Sequence, residues 1–130
     1  MKAKRKYQHS AFVSVGGIMK RIDVDAIVFI EAQSYKCVFN MEDGTKYKVS
    51  MPMGEAIEDM DEEQIVRIHR SFSVNIDQID EYYGGMVKMY GGKEIPIGRE
   101  YKSVFEEVII ILRSRNRRKV SKSLADSNDM

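Results

Sequence analysis

Residues 65–79 read Ile-Val-Arg-Ile-His-Arg-Ser-Phe-Ser-Val-Asn-Ile-Asp-Gln-Ile. The first half alternates: Ile65, Arg67 and His69 share one side, Val66, Ile68 and Arg70 the other, which is the period of a β-strand. A second strand-like run, Phe72 to Ile76, follows at once. His69, Arg70 and Ser71 therefore fall on a short bend between two strands. A long cation at such a bend is well placed to present its guanidinium to an anion. The plain alternative is that His69 is a half-buried structural histidine bonded to backbone, and Arg70 an ordinary surface arginine. Asn75 reads as a clamp on backbone.

Outward from this stretch, apolar alternation broken by glycine predicts strands on both sides. Phe12–Val15 and Ile18–Ile22 flank Gly16-Gly17, and Tyr35–Met41 and Thr45–Val49 flank the turn signal Glu42-Asp43-Gly44. Ile27–Glu31 is nearly continuous in apolar residues, so cover on both faces is expected. Ala32-Gln33-Ser34 reads as a loop, and Asp23-Val24-Asp25 as a turn whose carboxylates cap local amides. Ile79–Tyr83, Met86–Tyr90 and Glu94–Ile97 complete the set, with Pro96 marking an edge strand. The two pairs Gly84-Gly85 and Gly91-Gly92 precede no helix and no Lys-Ser/Thr, so they are turns and not a phosphate cradle.

Two segments have helical period. Ser50 is the predicted N-cap of the first, with Pro52 in its first turn and a stripe of Met53, Ile57 and Met60. Glu55, Glu58, Asp59, Asp61, Glu62 and Glu63 make its surroundings acidic, with no regular metal-binding loop. The second runs from Glu100 on a stripe of Tyr101, Val104, Phe105, Val108, Ile109 and Leu112, with Ile110 and Ile111 off it. About nine short strands and two helices define a mainly β chain, a small barrel or sandwich.

The matching pieces occur in order. Arg67 to Asn75 resembles the signature of the LytTR DNA-binding domain of bacterial transcription regulators. Ile30-Glu31-Ala32 with Tyr35 resembles an early strand and loop of that family, and Ile95 to Tyr101 its late strand-to-helix junction. The resemblance extends over residues 11–112, leaving 1–10 as a basic arm and 113–130 as a basic tail. It implies an elongated stack of short antiparallel sheets with one short and one C-terminal helix, whose loops enter DNA without a recognition helix. On that pattern Gln33, Ser34, Tyr35 and Lys36 meet one major groove, and Arg99, Tyr101 and Lys102 the next. His69, Arg70 and Ser71 lie between, at the minor groove or its phosphates. Arg99 is the expected base reader, because a guanidinium bonds guanine O6 and N7 together. The sequence departs from the family at Tyr35, where members carry an imidazole, and at Gly98, where many carry serine.

The expected partner is double-stranded DNA at direct repeats, with a second copy on DNA or a separate receiver or sensor protein. The rival is a β module binding protein or peptide through Tyr82, Tyr83 and Tyr90. Two histidines, one cysteine and no paired base and nucleophile argue against an enzyme, and neither a cofactor nor a metal is implied. A single cysteine, Cys37, forms no internal disulfide and suits the cytoplasm. No segment is apolar for long enough to span a bilayer. Charge is distributed unevenly. Residues 12–112 hold 11 of the 21 cations and 18 of the 20 anions, a balance of −7. A body that acidic meets a polyanion only if its few cations gather on one side.

Overall fold

The computed structural model describes residues 9–112. Among these residues, ten strands form three antiparallel sheets. β1 (Ser10–Val15) and β2 (Ile18–Asp23) make a two-stranded hairpin. The central sheet has the order β5-β4-β3-β7-β6, from Lys46–Val49, Lys36–Met41, Ile27–Gln33, Phe72–Asn75 and Ile65–His69 respectively. The third sheet is β10-β9-β8, from Glu94–Pro96, Met86–Met89 and Ile79–Tyr83. Pro96 lies on an edge strand, where its missing N–H costs no ladder bond.

The central sheet is apolar on both faces because each face has its own core. Ile27, Ile30, Phe39 and Ile65 pack against Val13 and Ile22 of the first hairpin and against Met53 and Ala56. Val28, Ile68 and Val74 pack the other way, against Val87, Met89 and Ile95 of the third sheet and Phe105. This accounts for the unbroken apolar run in β3, which supplies residues to both cores. Removing the fully buried Phe105 ring to alanine costs about 3–5 kcal/mol on the scale of such truncations.

One local device carries the chain between sheets twice. Asp23 accepts the Asp25 N–H at 3.0 Å and starts a single 3-10 turn, Val24–Ala26, leading from the first hairpin into β3. Asn75 accepts the Asp77 N–H at 3.0 Å and starts another, Ile76–Gln78, leading from the central sheet into β8. A short side-chain acceptor of this kind diverts the backbone from the strand ladder. Asn75 is fully buried, and its amide donates to the carbonyls of Ile27 at 2.9 Å and Asp25 at 3.4 Å. Both ends of that side chain are engaged, as a backbone clamp requires.

Four expectations need correction. The first helix, α1, runs Met53–Met60 and is capped by Pro52 without a side-chain bond, so Ser50 lies outside it. The second, α2, spans only Lys102–Glu107. Its predicted continuation, Val108 to Ile111, is a β-branched run that a helix disfavours. Val104 and Val108 are half exposed, and Ile110 and Leu112 are about 90% exposed. The loop at Ala32-Gln33-Ser34 is shorter and later, because Ala32 and Gln33 remain in β3 and only Ser34 and Tyr35 turn. Finally, Ser10 belongs to β1, and the His9 carbonyl accepts the Val24 N–H at 2.8 Å, so these two residues join the fold and not the arm. The remainder of the expected arm and the basic tail lie outside the described residues. No helix among the described residues is long and apolar enough to cross a membrane.

Candidate nucleic-acid interface

Strand register brings the predicted turns together. Glu31 pairs with Phe72, so the β3–β4 tip and the β6–β7 tip lie at the same end of the central sheet. The Ala32 N–H donates to the Ser71 carbonyl at 2.8 Å, joining the two tips directly. On the other side of β6, the Gly98 N–H donates to the Ile68 carbonyl at 2.7 Å. The segment after β10 therefore lies against the end of β6. The order across this end of the molecule is the Gln33–Lys36 hairpin, the Arg70-Ser71 turn, then the Arg99–Lys102 junction.

The first turn is a two-residue hairpin closed by the Gln33–Lys36 pair. Ser34 adopts the left-handed conformation, with φ of 61°, and Tyr35 is 82% exposed. Gln33 and Lys36 are exposed as well.

The middle turn is built differently. A register break between Arg67 and His69 leaves Ile68 as the extra residue of a β-bulge. Ile68 still points into the second core. His69 then pairs with Phe72, and their rings lie 5.6 Å apart. Strict alternation puts His69 on the face of Ile65; the bulge turns it to the face of Phe72 instead. The His69 Nδ1 accepts the Ser71 N–H at 3.0 Å, closing the turn from within. That bond assigns the ring proton of a neutral His69 to Nε2. Arg70 is exposed at the apex, and among the described residues its guanidinium has no carboxylate partner. Ser71 is half-buried.

The third element is a 3-10 turn, Arg99–Tyr101, running into α2. Gly98 caps it, and the Tyr101 N–H returns to the Gly98 carbonyl at 2.9 Å. A Cβ at Gly98 would stand 3.0 Å from the Tyr101 ring and 3.6 Å from the His69 Cα. The tight contact is with the Tyr101 ring of the junction itself, whereas 3.6 Å to the middle turn is ordinary packing. Tyr101 is half-buried, while Arg99 and Lys102 are exposed. Arg99, like Arg70, has no carboxylate partner among the described residues.

These three segments bring Lys36, Arg70, Arg99 and Lys102 to one end, with Glu100 as their one anion. The acidic run from Glu58 to Glu63 lies toward the other end, where the Glu62 carbonyl accepts the N–H of Ile65 at the start of β6. An acidic body with a cationic end has the polarity that suits approach to a polyanion. The tyrosines of the rival reading are partly engaged within the fold. Tyr82 packs edge-on against Phe105 at 5.2 Å and donates to Glu106, and Tyr83 donates to Glu94. Among the described residues no group of three His, Cys, Asp or Glu side chains could hold a metal ion.

Arg67 belongs to this end of the molecule although sequence reasoning assigns it no role. Its guanidinium bonds the carbonyls of His69 and Arg70, behind the middle turn. Only its position, two and three residues ahead of those carbonyls, hints at this.

A mainly β fold that gathers, on three adjacent turns, cations with no carboxylate partner among the described residues has the layout of a protein that meets an anionic partner with loops. Residues 18–110 match the family model of the LytTr DNA-binding domain. The chain belongs to the LytTR family of DNA-binding domains. A solved structure, the LytTr DNA-binding domain of a Bacillus cereus protein described as a methyl-accepting/DNA response regulator, has a similar fold. The TM-score is 0.67 at 20% sequence identity, over 78% of this chain and 96% of that one. No curated protein matches the chain.

Proposed function

We propose that this domain recognises a specific double-stranded DNA sequence through its three adjacent turns, as the DNA-binding part of a bacterial transcription regulator. The observation that carries this reading is the charge at the turn end. The three turn segments carry four cations and one anion, on a body whose balance is −7. The Gln33–Lys36 hairpin enters one major groove, with the exposed Tyr35 ring and hydroxyl available to a base edge or thymine methyl. Arg99 enters the next and reads guanine through a bidentate bond. Arg70 lies between them, over the minor groove or its phosphates, where a narrow groove concentrates negative potential. Gln33, Ser34, Ser71, Tyr101 and Lys102 fix register on sugar and phosphate. His69 acts through the turn it closes. The site is a pair of direct repeats, and the further partner is a second copy on DNA or a receiver or sensor protein. No catalysis is assigned.

Selection of bound duplexes from a random library, read by sequencing, tests this reading. An enriched motif repeated in one orientation is the expected result. Enrichment of no motif, with equal mobility shifts on all duplexes, overturns sequence recognition. Absence of any shift at low salt overturns DNA binding through these turns.

A further inference from the structure

We propose that Arg67 is a positioning residue for DNA recognition: it clips the His69-Arg70 turn from behind and so aims the Arg70 guanidinium outward. This rests on the reading of Arg70 as a DNA contact and adds a residue that does not itself reach the duplex. Arg67 lies on β6 opposite Ser73, one residue before the bulge. From there its Nε donates to the His69 carbonyl at 3.3 Å, and its Nη2 donates to the Arg70 carbonyl. Its Nη1 lies over Gly54 in the first turn of α1, 3.5 Å from where a Cβ would stand. The side chain is half-buried and has no carboxylate partner among the described residues. Its guanidinium bonds one main-chain oxygen at the end of β6, that of His69, and one on the turn, that of Arg70.

That choice of partners has a physical consequence. The bulge at Ile68 interrupts the ladder, which resumes only at the single pair His69–Phe72 before the turn. Two side chains reinforce that pair. His69 accepts the donor of Ser71, and Arg67 donates to the acceptors of His69 and Arg70. A planar guanidinium spans two neighbouring carbonyls in a fixed fork, which a lysine ammonium does not reproduce. A turn locked on both sides presents Arg70 with less ordering left to do on binding.

The test is a double-mutant cycle in the full chain, using the duplex enriched from the random library. Arg70→Ala should weaken binding, and wild-type binding by Arg70→Ala would overturn the reading of Arg70 and this proposal together. With that loss in hand, Arg67→Met should weaken binding on the order of tenfold, the scale of one charge-assisted bond. Added to Arg70→Ala, it should cost under about twofold more, because residues acting through one group are not additive. Additive losses, with the salt slope lower by about one, would make Arg67 a direct phosphate contact and overturn the proposal alone. A loss that matches the drop in folded fraction would reduce Arg67 to a stabilising residue and also overturn it. Should Arg67→Met fail to fold, Arg67→Lys keeps the charge without the fork. A wild-type affinity for Arg67→Lys overturns the clip, and faster amide exchange at Arg70 and Ser71 in that variant, with weaker binding, supports it.

Discussion

The N–H of Gly98 donates to the carbonyl of Ile68 at 2.7 Å, and this bond joins the end of one sheet to the helix junction of another. Ile68 is a bulge residue, so its carbonyl is released from the regular ladder and available on the outer side of β6. A Cβ at Gly98 would meet the His69 Cα at an ordinary packing distance but would crowd the Tyr101 ring at 3.0 Å. Valine at position 98 would press its branched side chain into the Tyr101 ring and displace that ring within the junction. Gly98→Val should therefore weaken binding to the selected duplex more than it lowers the melting temperature, as paired titration and thermal denaturation would show. An affinity unchanged from wild type would mean that the junction tolerates displacement.

Arg99 follows that bond by one residue and is held next to the middle turn. Arg99→Ala should cost about 1–3 kcal/mol on the selected duplex and flatten discrimination at one base position. Fluorescence anisotropy on the motif and on its single-base variants measures both effects. Equal losses on motif and random duplex would assign Arg99 to phosphate.

Asn75 concerns stability and not recognition. Its buried amide donates to the Ile27 and Asp25 carbonyls, and its oxygen caps the next 3-10 turn. Asn75→Ala should destabilise the fold by about 2–4 kcal/mol, from an unsatisfied buried carbonyl together with the missing cap. Asn75→Asp should be worse although it keeps the cap, because it sets a buried, unpaired carboxylate against the Ile27 and Asp25 carbonyls. Urea denaturation of the two variants separates the roles of the two ends of the side chain.

Much of this architecture is legible in local chemistry. The Gly-Gly turns, the Asp23 cap, the two-faced β3 and the edge position of Pro96 follow from side-chain period and backbone restriction. The bulge at Ile68 does not, because alternation assumes an unbroken ladder and so assigns His69 to the wrong face. The length of α2 is hidden for a related reason. The stripe of Val104, Val108 and Leu112 has helical spacing, but Phe105 alone in α2 is fully buried. The family pattern places turn residues in order along the chain. It does not contain the hydrogen bonds that set them side by side, Ala32 with Ser71 and Gly98 with Ile68. Arg67 is invisible for the same reason, since its partners are main-chain oxygens.

Residues 113–130 carry six cations and two anions. Removing them should leave the selected motif unchanged and lower the slope of log affinity against log salt by about 0.9 for each phosphate that the tail neutralises. Binding measured across a salt series is the check. An unchanged slope would place the tail away from the duplex.

Cys37 lies fully buried in β4, and burial pushes its thiol up to about 11 from an ordinary 9.0. The thiolate is the reactive form, so the folded protein should resist alkylation at pH 8 and react promptly once denatured. The same shift gives the sign of a stability effect. Between about 9 and about 11 the folded chain still holds a proton that the unfolded chain has released. Stability is therefore undiminished below the lower value and falls as the pH rises toward the upper one. Cys37→Ala removes that contribution, so the difference in unfolding free energy between wild type and Cys37→Ala should shift against wild type across this window. A constant difference would mean that the thiol ionises alike in both states, which its burial between two sheets opposes.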